Sequence, residues 1–202
     1  MSIYPYRNEV LEAIARKVIA MHDPRLLYAP APTPVEIIME RVYGLSIEYQ
    51  YIRKNGRVLG ETIFADAKIP IYDIVSGEYK LVPVEQGTVI IDVSLLNSGN
   101  DGRFRYTCAH ELAHWIIHKE LFTQKGEMAA MTKTARSSEA DNAIERQADR
   151  LAGYLLMPSG TVKMAFYRSH HMTGDRVAYL AKLFGVSKQA MGYRLKEMRL
   201  LY

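Results

Sequence analysis

The apolar positions of this chain repeat with the period of a helix at both ends and with the period of a strand in between. Residues 6–22 place apolar side chains at offsets 0, 3, 4, 7 and 8 from Leu11, which predicts an amphipathic helix. Prolines then crowd residues 24–34, so no helix is predicted there, because proline lacks an amide hydrogen. A second helix is predicted over residues 34–43, with Thr33 as its N-cap.

Between residues 45 and 96 apolar and polar side chains alternate, which predicts four or five short strands, mostly antiparallel. The dipeptide Asn55-Gly56 lies between two such strands and predicts a hairpin turn. Helical periodicity returns beyond Gly102, and a polar stretch interrupts it at residues 120–138. The helices predicted in this half cover residues 103–119, 139–156, 158–168, 175–184 and 187–198.

The composition fits a globular chain that is neither disordered nor fibrous, since 49% of its 202 residues are hydrophobic and 24% are charged. No apolar run approaches the ~20 residues that span a bilayer, and the first residues lack the pattern of a secretion signal. The single cysteine, Cys108, suits a reducing compartment. We therefore expect a cytoplasmic protein that does not bind membranes.

The formal net charge of +4 is unevenly distributed, because residues 160–202 hold eight Lys and Arg side chains against two acidic ones. In this segment Ser187, as a helix cap after Gly185, predicts two helices joined by a turn. Such a pair can bind the major groove of DNA, or it can pack on the rest of the chain and hold a partner protein. We favour the second interpretation. The basic side chains available for DNA are Lys188, Arg194, Lys196 and Arg199.

The motif His110-Glu111-Leu112-Ala113-His114 lies on one of the predicted helices. Two histidines four residues apart share a helix face, so both imidazoles can bind one metal ion. Glu111 lies ~100° around the helix from His110. It is therefore placed to deprotonate a water at the metal rather than to bind the metal itself.

The rest of this helix is apolar around most of its circumference, which indicates that the helix is buried. A buried strip of imidazoles and a carboxylate is costly unless its members are paired or bind a metal. His118 lies two turns, or ~12 Å, from His110, so a supporting or packing role is expected for it rather than a shared ion. The polar arc of this helix contains Thr107, His110, Glu111, His114 and His118.

A third metal ligand is needed, because a catalytic zinc usually takes three from the protein. Glu145 and Asp149 lie four residues apart beside an apolar stripe on a later helix. We predict Glu145 as the third ligand and Asp149 as the acceptor for the ring N–H of a ligand histidine, with one zinc ion per chain. The exchange of these two roles is the main alternative, and a pair of solvent-facing acids is another.

These blocks of sequence resemble the ImmA/IrrE family of bacterial metallopeptidases. The resemblance rests on residues 105–118, which contain the H-E-x-x-H motif, and on residues 145–158, which begin with Glu145. A third similar block covers residues 180–187, and residues 34–49 fit more loosely.

The resemblance implies an α+β fold with a zincin-like metallopeptidase core, in which a small antiparallel or mixed sheet packs on the H-E-x-x-H helix. C-terminal helices with a helix-turn-helix-like pattern follow. We expect a single domain over residues 1–202, made of an N-terminal helix and proline-rich connector (1–32), the core (33–157) and a basic helical segment (158–202). Residues 69–84 depart from the family pattern as an apparent inserted hairpin.

The resemblance also implies a zinc endopeptidase of the H-E-x-x-H…E type that cuts a helix-turn-helix transcriptional repressor and so acts as an antirepressor. In this mechanism His110, His114 and Glu145 hold zinc, and Glu111 passes a proton from water to the leaving amine. The alternatives are a non-catalytic regulator that binds DNA or a repressor, and a toxin–antitoxin partner protein. The candidates for a further donor to the oxyanion are Tyr106, Tyr154, His170 and His171.

Overall fold

The structure, a computed structural model, describes residues 6–97, 101–125, 139–171 and 173–201. Within these ranges the chain forms eight α-helices and five β-strands, a mixed α+β fold. The helices are α1 (Asn8–His22), α2 (Val35–Tyr43), α3 (Ser94–Asn97), α4 (Asp101–Lys125), α5 (Glu139–Leu156), α6 (Ser159–Arg168), α7 (Arg176–Phe184) and α8 (Lys188–Glu197). The strands are β1 (Ser46–Gln50), β2 (Gly60–Thr62), β3 (Ala67–Asp73), β4 (Glu78–Val84) and β5 (Thr88–Asp92).

The central strand of a three-stranded sheet is β5, with β1 parallel to it on one side and β2 antiparallel on the other. All of β5 is buried, because its apolar run Val89-Ile90-Ile91 is covered on both faces of the sheet. The prediction of a hairpin at Asn55-Gly56 is therefore wrong. A turn forms there, but the strands before and after it both pair with β5 rather than with each other.

A separate antiparallel hairpin is formed by β3 and β4, which confirms the hairpin predicted at residues 69–84. It packs on the face of the sheet to which Ile90 points, whereas Val89 and Ile91 belong to the main core on the other face. The hairpin and the sheet thus enclose a second, smaller core. Its members are Ile52, Val58, Ile63, Ile69, Ile71, Val84 and Ile90.

Helix α4 lies between the sheet and α5 and is the central element of the main core. Four of its side chains, Cys108, Ala109, Leu112 and Ala113, are fully buried, and Ile116 and Ile117 are partly buried, which agrees with the buried helix that the sequence predicts. The helix continues to Lys125 rather than ending near residue 119. The remainder of the predicted polar stretch, residues 126–138, lies outside the described residues. Among the helices described, none is long and apolar enough to cross a membrane.

Two local features before α2 differ from the prediction. A short 3₁₀ helix at Pro24–Leu27 forms within the proline-rich stretch, where the Asp23 carboxylate caps its N-terminus. Proline is tolerated at the first position of such a turn because the amide there needs no partner. The N-cap of α2 is Pro34 and not Thr33, and no side chain caps this helix. The Thr33 carbonyl instead accepts a hydrogen bond from Arg105 Nη2 at 2.8 Å.

The C-terminal helices α7 and α8 are joined by a short turn, as predicted. Gly185 ends α7 with a φ of +63°, in the left-handed region that glycine adopts without strain. The Ser187 hydroxyl caps α8 by accepting a hydrogen bond from the Ala190 amide. Both helices pack on the main core through apolar side chains.

Arg194 anchors α8 to the rest of the protein. This side chain is only 5% exposed, and it donates to the Met157 carbonyl at 3.0 Å. It also forms ion pairs with Glu12 on α1 and with Glu197 on its own helix. The charge of Arg194 is thus neutralised inside the protein, which corrects the expectation that it is available for DNA.

Glu61 is a buried acid on β2, with 1% of its surface exposed. Its carboxylate lies 3.7 Å from Arg53, too far for a close ion pair. Burial raises the pKa of Glu61 from 4.5 to about 7, although Arg53 acts in the opposite direction. Between these two values the folded protein binds more protons than the unfolded chain does. The contribution of Glu61 to the free energy of unfolding therefore falls as the pH rises through this window.

We expect the substitution Glu61→Gln to remove this contribution to the pH dependence, because an amide does not ionise. The free energy of unfolding at pH 7 should rise by about 1–3 kcal/mol. Urea denaturation at both ends of the window measures the effect. The exposed Glu48→Gln on β1 is the control, and an unchanged pH dependence in Glu61→Gln would contradict the prediction.

Candidate metal centre

Two histidines of α4 lie one turn apart and face the same point in space. His110 and His114 are 7% and 2% exposed, and their Nε2 atoms are 2.9 Å apart. The spacing of four residues brings both rings to one side of the helix, where α5 passes. The polar arc predicted for this helix therefore points into the interior.

Glu145 on α5 completes a group of three metal-binding side chains. Its Oε2 lies 3.5 Å from His110 Nε2, and its Oε1 lies 3.5 Å from His114 Nε2. One ligand atom from each residue lies within 4.8 Å of the other two. Bonds of ~2.0–2.1 Å in a tetrahedral zinc site put ligand atoms about 3.3 Å apart. Two imidazoles and a carboxylate at these distances fit one small divalent cation such as zinc.

Asp149 contacts the other side of the His110 ring. Its Oδ1 lies 3.0 Å from His110 Nδ1, and the same oxygen accepts a hydrogen bond of 2.8 Å from the Tyr106 hydroxyl. The ring nitrogen next to Asp149 is thus the one that faces away from Glu145. Glu145, and not Asp149, therefore lies close to the Nε2 atoms of both histidines, and the predicted roles of the two acids stay predictions.

The two carboxylates also control the protonation of His110. Burial alone lowers the pKa of this imidazole, but hydrogen bonds to Asp149 and Glu145 outweigh burial and raise the pKa to about 9. A metal ion that binds here must displace the proton. Metal affinity is therefore expected to increase with pH until His110 is neutral.

His118 supports the second histidine. Its Nδ1 lies 3.0 Å from His114 Nδ1, and the side chain is 2% exposed. Burial lowers the pKa of His118 to about 4, so the ring is neutral and can accept the Nδ1–H of His114. That bond leaves His114 Nε2 with a lone pair for a metal. The structure thus places His118 against His114, and its supporting role stays a prediction.

Glu111 is held by β2 rather than by another helix. The Thr62 hydroxyl donates to Glu111 Oε2 at 2.7 Å. On the same face of the strand, Gly60 lies so close that an added Cβ would be 2.5 Å from Glu111 Oε1. Gly60 leaves the space that the carboxylate occupies, and Thr62 fixes its orientation. Neither residue follows from the sequence, because the signal needed is the packing of β2 on α4.

The metal-binding side chains and Glu111 border a cleft of about 260 Å³. Of the four candidate oxyanion donors, Tyr106 lines this cleft, and burial raises its pKa so that it keeps its proton. Tyr154 donates to Glu197 at 2.5 Å and faces a different cavity. His170 contacts the Tyr167 carbonyl at the end of α6, and His171 borders a third cavity. Arg103 also lines the cleft, a residue that the sequence analysis did not single out.

A buried site of two histidines and one glutamate, with a further glutamate beside it, is the arrangement of single-metal peptidases. The model of a peptidase family, described as the IrrE N-terminal-like domain, matches residues 93–196. This match covers more than half of the chain, so the chain belongs to this family. The resemblance found in the sequence is thereby confirmed, and the matched region includes the three side chains that could hold a metal ion.

The fold is similar to that of a solved structure, a Mycobacterium tuberculosis transcriptional regulator. The two chains are 16% identical and superpose with a TM-score of 0.51, over 93% of this chain and 46% of that one. At this identity the likeness concerns the fold alone, and this chain spans less than half of the regulator's length. No curated protein matches the sequence.

We expect Glu145→Gln to weaken Zn²⁺ binding more than Asp149→Asn does. Glu145, unlike Asp149, has a carboxylate oxygen in the group of ligand atoms formed with His110 and His114. Loss of the Asp149 contact should cost ~10–100-fold in affinity, the usual effect of removing an outer partner of a ligand. Competition with a chromophoric zinc chelator measures both values. Glu120→Gln, on the exposed side of α4, is the control. A larger loss for Asp149→Asn would show that the two acids have exchanged roles.

Proposed function

We propose that this chain is a zinc-dependent endopeptidase that hydrolyses one peptide bond in a specific protein, a helix-turn-helix transcriptional repressor. The observation that carries the proposal is the convergence of His110, His114 and Glu145 beside the buried carboxylate of Glu111. Membership in the peptidase family supports the reaction class. The resemblance to the ImmA/IrrE metallopeptidases supports the choice of a repressor as substrate.

In this proposal His110, His114 and Glu145 hold one zinc ion per chain, and Asp149 and His118 orient the two imidazoles. When bound, zinc supplies a Lewis acid that polarises the scissile carbonyl and makes a water molecule acidic at neutral pH. The tautomer of each histidine is set by the partner of its Nδ1 atom, which leaves Nε2 for the metal.

Glu111 is the general base and then the general acid. It accepts a proton from the attacking water and returns it to the leaving amine, so the scissile C–N bond breaks with a neutral amine product. The Thr62 hydroxyl holds one carboxylate oxygen, and Gly60 leaves room for the other. The carboxylate therefore meets the water in one orientation, which spares the entropy of ordering it during the reaction.

Tyr106 is the oxyanion donor that we retain, because it alone among the four candidates lines the cleft within the described residues. Its hydroxyl donates to Asp149 in this structure, so it has to exchange that acceptor for the oxyanion. Tyr154, His170 and His171 have other partners or surroundings and are given no part in the reaction.

A protein substrate agrees better with the C-terminal helices than DNA does. Arg194 is buried in ion pairs, and Lys188 pairs with Asp175 at the start of α7. Of the four cations considered for DNA, Arg194 is therefore engaged inside the protein, and Lys188 is engaged in an ion pair at its surface. The contact of Arg194 with Glu12 also joins the N- and C-terminal segments, in keeping with one functional domain over residues 1–202. Cleavage of a repressor implies a reaction in the cytoplasm.

The direct test is incubation of the zinc-loaded protein with the repressor encoded beside its gene, followed by mass measurement of the fragments. Glu111→Gln is expected to abolish cleavage while zinc binding is kept, because the amide cannot accept a proton. Glu120→Gln on the exposed side of the same helix should cleave like the wild type. Cleavage by Glu111→Gln at the wild-type rate would remove Glu111 from the mechanism.

Gly60→Ala tests the placement of the Glu111 carboxylate. The new methyl group would lie 2.5–2.8 Å from three atoms of the Glu111 side chain, which is buried and has little room to move. We expect kcat to fall at least ~10-fold, since displacement of a catalytic group by about 1 Å is costly. Zinc affinity should be unchanged. Gly160→Ala on α6, where an added Cβ meets no atom within 4 Å, is the matched control.

A further inference from the structure

A second cavity, of about 680 Å³, adjoins the metal cleft. It lies between the N-terminal part of α4, the C-terminal half of α5 and the length of α8. The two spaces have a common wall, because Arg103, Tyr106 and Asp149 line both of them. The metal cleft and the larger cavity therefore lie next to each other, with these three side chains at their boundary.

The floor of this cavity is apolar and its rim is polar. Tyr154, Leu156 and Met157 form the buried floor, and each is at most 3% exposed. Tyr193 on α8 stands at the rim with 67% of its surface exposed, near the exposed Arg150 of α5. Tyrosine, methionine and arginine around an apolar centre are the composition of surfaces that bind proteins.

The size of the cavity points to several residues of a ligand rather than to one side chain. About 680 Å³ lies within the ~300–1,000 Å³ of sites that enclose a whole drug-sized molecule. Its walls are also fixed in place. Arg194 ties α8 to α1 and to the end of α5, and the Tyr154 hydroxyl donates to Glu197 on α8. The cavity is thus formed before a ligand arrives.

We propose that this cavity binds the residues of the protein substrate that flank the scissile bond, and that it selects a segment with large apolar side chains. The inference rests on the proposed endopeptidase function, because it takes the metal cleft as the place of cleavage. In such an enzyme α8 acts as a wall of the substrate site. Large apolar side chains are normally buried in a folded protein. The substrate segment is therefore cleaved only in a conformation in which these side chains are exposed.

The test uses the full chain with Glu111→Gln, so that binding is measured without cleavage. The probes are fluorescent octapeptides of glycine and serine that carry two adjacent leucines, two lysines or two aspartates. Fluorescence anisotropy should show the leucine peptide binding at least 10-fold more tightly than either charged peptide. Equal affinities, or no binding of the leucine peptide, would overturn the proposal.

Gly153 offers a way to fill the cavity without disturbing the core. It lines the cavity from α5, and an added Cβ there meets no atom within 4 Å. Gly153→Leu should lower the affinity for the leucine peptide at least 10-fold, whereas Gly160→Leu, outside the cavity, should leave it unchanged. Tyr193→Ser should also weaken binding of the leucine peptide. Because Tyr193 is exposed, this second variant keeps the test valid if Gly153→Leu does not fold. Unchanged affinity in both cavity variants would overturn the proposal.

Zinc content and cleavage of the repressor by the wild type are measured in parallel. If the protein binds the leucine peptide selectively but contains no zinc and cleaves no repressor, the proposed endopeptidase function is refuted and the cavity remains a binding site for apolar peptides. Cleavage that is indifferent to Gly153→Leu would leave the endopeptidase and refute the cavity as its specificity site.

Discussion

The cost of burying ionisable groups without partners is the constraint on which this structure depends. Between Tyr106 and His118, α4 is apolar around most of its circumference and carries its imidazoles and Glu111 on the remaining arc, all of them buried. α5 meets that arc with Glu145 and Asp149, and β2 meets it with Thr62. Both α5 and β2 thus place polar atoms next to the buried ionisable side chains of α4. The same contacts assemble a cation site, so the packing of the core and the chemistry of the site have one origin.

A buried ionisable group on α8 is likewise paired. Arg194 is buried, and its guanidinium is satisfied by two carboxylates and a backbone carbonyl. Because Glu12 and Met157 belong to distant parts of the chain, this one side chain fixes α8 against both α1 and the end of α5. The family match covers residues 93–196 and therefore spans the three candidate metal ligands and almost all of α8. The basic C-terminal segment therefore packs on the same core as the helices that carry the candidate metal site.

Helical periodicity made most helices predictable, and the four-residue spacings of His110, His114, Glu145 and Asp149 pointed to the groups that the structure brings together. These signals are local, since a helix face repeats within one turn. Strand pairing is not local, which is why the turn at Asn55-Gly56 suggested a hairpin although both strands pair with β5. Gly60 and Thr62 were missed for the same reason, because their importance arises only where β2 touches α4. The burial of Arg194 likewise depends on Glu12, far away in sequence.

The shared wall of the two cavities has an energetic consequence. Tyr106 and Asp149 border both spaces, and Asp149 is the carboxylate that contacts His110. A ligand that draws the Tyr106 hydroxyl away from Asp149 strengthens the hold of that carboxylate on the imidazole. Occupancy of one space and cation affinity in the other are then thermodynamically linked, and linkage is reciprocal. For the proposed endopeptidase this means that bound zinc should raise the affinity for the substrate by the same factor by which bound substrate raises the affinity for zinc.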